Sequence, residues 1–275
     1  MTPLNKNGQM IFDAPAELAD AARHAKNAGT RFTDDRGWTG ESLSETLDST
    51  RTGSTKHVPA AEKLLEKISA DLDLTRTEWT HDVAGAFPDV PAFLAGQPDC
   101  MVRRTQTISE RAPLRVWVDV SSSAGIDVQT LTQRGVAALA LVMQLIRQGR
   151  AVELVTFTSL HGRTGGQSVI CCRMVTAPVD IASVSYCLTS SGFSRALCYG
   201  LALHHNKFDG SWSNNYVTRG TWAERIAGAK RTLAGLAAEN DIILPAPYFT
   251  DKNSTEAHGL LFSNPAAWVN ACIAQ

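Results

Sequence analysis

The spacing of apolar positions changes along this chain, and the change falls near residue 114. Before it, hydrophobic residues recur at helical spacing in short runs separated by polar turns. Residues 14–28 (APAELADAARHAKNA) carry Pro15 near a helix start and Gly29 just past its end, the usual pairing of start and stop signals. In residues 39–53 Leu43 and Leu47 lie four apart, and in residues 58–72 Leu64, Leu65, Ile68 and Leu72 share one face. These predict thin amphipathic helices that need something to pack on. Residues 85–101 (GAFPDVPAFLAGQPDCM) hold three prolines and two glycines, which favour turns and extended backbone. Phe87, Val90, Phe93 and Leu94 are too apolar for solvent, so this stretch is expected to wrap over the domain that follows.

After residue 114 strands and helices alternate. The run 114–120 (LRVWVDV) has strand length and β-branched content, and 130–149 is a helix apolar on almost every side, hence buried. Residues 151–160 predict a second strand, and 167–177, after the turn GRTGG, a third that is expected to be an antiparallel edge. Helices are expected over 194–205, 221–240 and 265–274, a strand over 241–247 and another at 258–262. Strand, helix and strand in this order imply right-handed crossovers around a mainly parallel open sheet flanked by helices, an α/β fold. The expected division is a helical N-terminal extension, 1–113, packed on an α/β domain, 114–275.

Composition and charge narrow the function classes. With 44% hydrophobic and 19% charged residues in 275, the chain is globular, and disorder is excluded. No window approaches eighteen consecutive apolar residues, and the N-terminus lacks the apolar core of a signal peptide, so a cytoplasmic location and no membrane partner are expected. Residues 1–113 hold 13 basic and 17 acidic side chains, residues 114–275 hold 13 and 10, giving about −4 and +3. Neither value demands nucleic acid. The six cysteines show no CxxC spacing, and buried, reduced thiols are expected; a zinc site from Cys172, Cys187 and Cys198 is the lesser alternative.

Candidate chemistry centres on the stretch LRVWVDVSSSAGI, 114–126, where an apolar strand ends on Asp119 followed by three serines. Ligands of open α/β sheets bind beyond the carboxyl ends of the strands. An Asp with Ser two and four positions on, Asp119, Ser121 and Ser123, can turn three hard oxygen donors toward one point, which suits Mg²⁺, Mn²⁺ or Ca²⁺. The competing reading is a loop that merely caps the following helix.

These three residues resemble the DxSxS signature of von Willebrand factor A domains, whose metal-ion-dependent adhesion site starts at the end of the first strand. VWVDVSSS, the long apolar helix and VELVTFTS look like the first strand, first helix and second strand of that fold; the usual glycine of the motif is replaced by Ser122. The resemblance implies two further site residues, a Thr for which Ser191 stands by spacing, with Thr189 and Ser190 beside it, and an Asp best matched by Asp251. It implies a magnesium-like divalent cation, with Ser121, Ser123 and Ser191 as direct ligands and Asp119 and Asp251 acting through waters. A protein partner then offers an acidic side chain, and cytosolic members often work beside a separate AAA+ ATPase. The preceding FPDVPAFLAGQPDCM looks like uncharacterised phage-encoded proteins of this type.

Two other classes stand beside this metal-dependent protein-binding module. The first is a single-stranded nucleic-acid-binding or transcription accessory protein. Residues 204–222 interleave Lys207, Phe208, Trp212, Tyr216, Arg219 and Trp222, a composition able to stack bases and track a strand, or simply to tuck aromatics onto the core. The second is a metal-dependent phosphohydrolase, although no HExxH or GxSxG appears and Glu224 and Asp180 read as surface charges. His204 and His205 diverge by about 100° on a helix and do not share a metal.

Overall fold

Helix start signals settle much of the chain's local structure. A computed structural model describes residues 9–68, 75–108, 113–121, 125–161, 167–175, 180–205, 221–247, 251, 254 and 257–274. The first elements are β1 (Gln9–Phe12), α1 (Pro15–Asn27), α2 (Arg36–Thr39), α3 (Leu43–Thr52) and α4 (Val58–Leu65). Pro15 opens α1, Asp35 caps α2, and Ser42 with Glu45 forms a reciprocal capping box on α3. Next come β2 (Thr75–Asp82), β3 (Phe87–Pro88), α5 (Val90–Leu94) and β4 (Met101–Ile108). The remainder is β5 (Leu114–Asp119), α6 (Val128–Arg147), β6 (Val152–His161), β7 (Gln167–Val175), α7 (Ile181–Thr189), a π-helical turn (Phe193–Cys198), α8 (Tyr199–His205), α9 (Trp222–Thr232), β8 (Ile242–Leu244), α10 (Leu260–Ser263) and α11 (Pro265–Ile273).

The chain divides into two units, residues 1–70 with 113–275, and residues 71–112. This division differs from the expected boundary at 113. Residues 9–68 carry a sheet strand and four helices of the larger unit, so they are part of its framework. The smaller unit is a three-stranded antiparallel sheet, β2-β4-β3, where helices and turns were expected. TRTEWTHD carries almost no apolar period, and its strand state comes with its antiparallel pairing to β4 from Thr75 to Asp82. Phe87, Val90, Phe93 and Leu94, expected to be covered, are exposed.

The larger unit is α/β, with a mainly parallel mixed sheet in the order β1-β7-β6-β5-β8. β5 runs parallel to β6 and β8, β7 is antiparallel to β6 as expected, and β1 is parallel to β7. Because β1 pairs with its far side, β7 is an interior strand and not the expected edge. Residues 258–262, expected as a strand, fall in a 3₁₀ turn (Ala257–Gly259) running into α10, and α7 was not foreseen.

Strand alternation sends Trp117, Val155, Phe157, Val169, Cys171 and Ile243 to one face, where Ala229 and Leu233 of α9 and its following turn close over them. The Trp117 ring meets Phe157 edge-on, and its indole N–H donates to Asp241 Oδ2 at 2.7 Å. On α6 the run from Val136 to Val142 is entirely buried, which explains why that helix is apolar all round. Gly135 lets α6 press against α7: a Cβ there would lie 2.1 Å from the Leu188 carbonyl oxygen. Cys171, Cys172, Cys187, Cys198 and Cys272 are buried free thiols, and Cys100 is half-buried.

Candidate functional site

The carboxyl end of β5 delivers Asp119 to the rim of the sheet. Its register partner is Phe157 on β6, and the Val120 amide still donates to the Phe157 carbonyl at 2.8 Å. Pairing stops there, and the chain turns on the carboxylate: Asp119 Oδ1 accepts from the Ser121 amide at 2.9 Å and the Ser121 hydroxyl at 2.5 Å. The Ser121 hydroxyl also lies 3.1 Å from that of Thr158. Asp119 Oδ2 is buried and accepts no hydrogen bond among the described residues. Burial pushes the Asp119 carboxyl above the usual carboxylate range, against the pull of the Ser121 hydroxyl and amide, of the Arg134 charge and of the nearby Ala246 backbone amide.

Helix capping does not explain this arrangement. The cap of α6 is Asp127, whose Oδ1 accepts from the Thr130 amide at 2.7 Å and whose Oδ2 accepts from the Thr130 hydroxyl at 3.0 Å. Asp119 and Ser121 are thus free of that task.

One buried arginine contacts the site, and a second interacts with the first electrostatically. Arg134 of α6 donates through Nη1 to the carbonyls of Asp119, at 2.9 Å, and Ser121, at 3.3 Å, while its Nε is unpaired among the described residues. Arg195, in the π-helical turn, donates to the carbonyls of Trp38 and Ile126 and lies 5.0 Å from the centre of the Trp38 ring. Burial pushes both guanidinium groups down to about 10, with Asp119 opposing the shift at Arg134 and Asp127 opposing it at Arg195. These residues were missed from the sequence. The available signal was a single arginine inside an otherwise apolar helix, a residue type seldom fully buried without a fixed partner.

The other expected ligands go elsewhere. Ser191 is buried, and its hydroxyl donates to the Thr39 carbonyl at 2.5 Å. Ser190 gives its hydroxyl to Glu41, and Thr189 to the Ser185 carbonyl. Asp251 is buried in a bidentate ion pair with Arg225, both contacts at 2.7 Å. A carboxylate held by two guanidinium hydrogen bonds is already neutralised, so Asp251 is a poor cation ligand. Ser123 lies outside the described residues, and so do Lys207, Phe208, Trp212, Tyr216 and Arg219 of the aromatic insertion. Trp222 begins α9, whose cap is a reciprocal Thr221 and Glu224 pair; Asp180 likewise caps α7. Both acids expected at the surface are therefore structural caps.

No group of three His, Cys, Asp or Glu among the described residues is placed to hold a metal, which includes Cys172, Cys187 and Cys198. A cation at the rim would depend on one carboxylate and on hydroxyl oxygens. The orphaned Asp119 Oδ2 and the adjacent Ser121 hydroxyl fit a hard divalent ion; Ser191 and Asp251 do not.

A family model matches residues 5–262 and so spans both units. The chain belongs to the DUF7192 family. That family is described as a domain of unknown function, and its match takes in the β2-β4-β3 sheet along with the α/β unit. No curated protein and no solved structure matches the chain. No helix among the described residues is long and apolar enough to cross a membrane.

Proposed function

We propose that this DUF7192 chain is a non-catalytic binding module whose ligand-binding rim is the carboxyl end of β5, where a divalent cation on Asp119, Ser121 and Ser123 meets an acidic side chain of a protein partner. The observation that carries this reading is the buried Oδ2 of Asp119, which accepts no hydrogen bond within 3.5 Å among the described residues, beside the Ser121 hydroxyl at the strand end. A buried carboxylate oxygen without a partner is costly, and a cation there removes the cost while leaving a coordination position for the partner's carboxylate. The order β5, α6, β6, with Asp119 closing β5, supports the likeness to a von Willebrand A domain. The ligand set is shorter than that likeness implies, since Ser191 and Asp251 are structural. Partners follow from the same likeness: an acidic surface on a separate protein, with a AAA+ ATPase as the first candidate and a phage setting as the context to search.

Thermal melting in EDTA, Mg²⁺, Mn²⁺ and Ca²⁺ tests the ion. At a free concentration of about 100 times Kd, a native-state ligand adds about 2.7 kcal/mol, which for a chain of this size raises Tm by roughly 5–10 °C. Wild type should show the rise, and Asp119→Asn and Ser121→Ala should lose it. A rise of equal size in all three would remove the rim as the site.

A further inference from the structure

The larger unit holds a cavity of about 210 Å³ along α7, apart from the Asp119 rim. Glu41, Ser49, Ser54, Lys56, His57 and Ser190 supply its polar lining. Its volume corresponds to roughly seven waters, well below that of a cofactor-sized pocket.

The cavity has two chemically distinct walls. Near the start of α7, the loop 53–57 is fixed by the Ser54 amide, which donates to the Ala182 carbonyl at 2.9 Å. Gly53, at φ 73°, is what permits this approach, since a Cβ would lie 2.4 Å from the Ala182 carbonyl carbon. That loop presents Lys56 and His57, whose side chains form no hydrogen bond or ion pair among the described residues. Ser49, on the last turn of α3, adds a hydroxyl that is likewise unspent. Further along α7, between Tyr186 and Ser190, the Glu41 carboxylate is anchored. Its Oε1 accepts from the Tyr186 hydroxyl at 2.8 Å and from the Ser190 hydroxyl, while Oε2 takes no hydrogen bond among the described residues.

One wall therefore holds a cation, an imidazole and hydroxyl donors in want of an acceptor, and the other an oriented carboxylate oxygen in want of a donor. We propose that this cavity binds a small molecule carrying an oxyanion, phosphate or carboxylate, at one end and hydroxyl or ammonium donors at the other. Lys56, His57 and Ser49 take the oxyanion, and Glu41 takes the donors. The site shares no ligand with the Asp119 rim and stands or falls without it.

Titration calorimetry on the full chain with inorganic phosphate, glycerol phosphate and serine tests this assignment. Saturable binding of glycerol phosphate, tighter than that of phosphate alone, identifies a phosphorylated polyol; saturable binding of serine identifies an amino acid. In either case Lys56→Ala should weaken binding about tenfold, the scale of one charge-assisted contact. Glu41→Gln should weaken the same probe and leave inorganic phosphate unaffected, and Asp119→Asn should change nothing. Lys56 is exposed, so its substitution does not threaten the fold. The proposal is overturned if no probe binds at millimolar concentration, if Lys56→Ala leaves binding unchanged, or if phosphate alone binds as tightly as both two-ended probes.

Discussion

Asp251→Ala separates a structural ion pair from a metal ligand. In the structure Arg225 donates through Nη1 to one Asp251 oxygen and through Nη2 to the other, at 2.7 Å each, with the two side chains 3% and 1% exposed. Removing the carboxylate leaves a guanidinium out of water without its main compensation, which costs about 3–5 kcal/mol. At roughly 2–4 °C per kcal/mol for a chain of this size, Tm should fall by roughly 6–20 °C. Asp251→Asn keeps the volume and one acceptor and should fall between alanine and wild type. Replacing both partners by apolar residues of similar volume, Arg225→Met with Asp251→Leu, should recover most of the loss, because no charge is left buried. Calorimetric melts of the four proteins, each with EDTA and with Mg²⁺, give the readout. If Asp251→Ala melts within about 1 kcal/mol of wild type, the value of an exposed pair, and its cation response vanishes, the ion-pair reading is refuted and Asp251 returns to the ligand set.

Three further outcomes follow from the packing and the site. Because burial raises the Asp119 carboxyl above its ordinary 3.8, its contribution to stability is complete below that value and is lost as pH rises through the native pKa. In EDTA, wild type should therefore lose stability relative to Asp119→Asn as pH rises from the unfolded value, as followed by urea denaturation across pH, and parallel curves would contradict the burial argument. Gly135→Ala, normally favourable in a helix, should cost about 1–3 kcal/mol here, because the new methyl meets the Leu188 carbonyl; a stabilised variant in the same denaturation assay would count against the close α6–α7 approach. Trp117→Phe removes the N–H that donates to Asp241 and should cost about 1.5–3 kcal/mol, with the fold unchanged by circular dichroism.

Where a segment's period and its end signals agree, the sequence could be read directly. The strand ending at Asp119, the buried helix α6 and the antiparallel β7 follow from apolar runs and turn residues with local causes. The smaller sheet was not legible, because TRTEWTHD and MVRRTQTI carry few apolar residues and their pairing is non-local: Thr75 meets Ile108 and Asp82 meets Met101. β1 failed for a similar reason. Four residues, QMIF, are too short for a period, and their strand state is imposed by β7 alongside. Helix α7 has buried positions from Val184 to Thr189 without a polar stripe between them, so its amphipathic signal is weak, and only the Asp180 cap marked its start.

The candidate site divides along the same line between local and non-local causes. Asp119 and Ser121 are two residues apart, so their mutual hydrogen bonds follow from the turn itself and could be foreseen. Whether Ser191 faces that rim depends on a distant segment, and here residues 38–41 decide it. The Trp38 carbonyl takes Arg195, the Thr39 carbonyl takes Ser191, and Glu41 takes Ser190 and Tyr186. One short stretch thus engages the hydroxyls that spacing alone would assign to a cation. It also fixes Glu41 as one wall of the cavity along α7. Gly40 sits at the centre of this stretch at φ 79°, and a Cβ there would lie 2.9 Å from the Ser191 hydroxyl oxygen, so the close approach that engages Ser191 depends on glycine. The segment read as an extension from sequence is therefore part of the framework around α7: it engages the Ser191 hydroxyl through the Thr39 carbonyl and, through Glu41, forms one wall of the cavity along that helix.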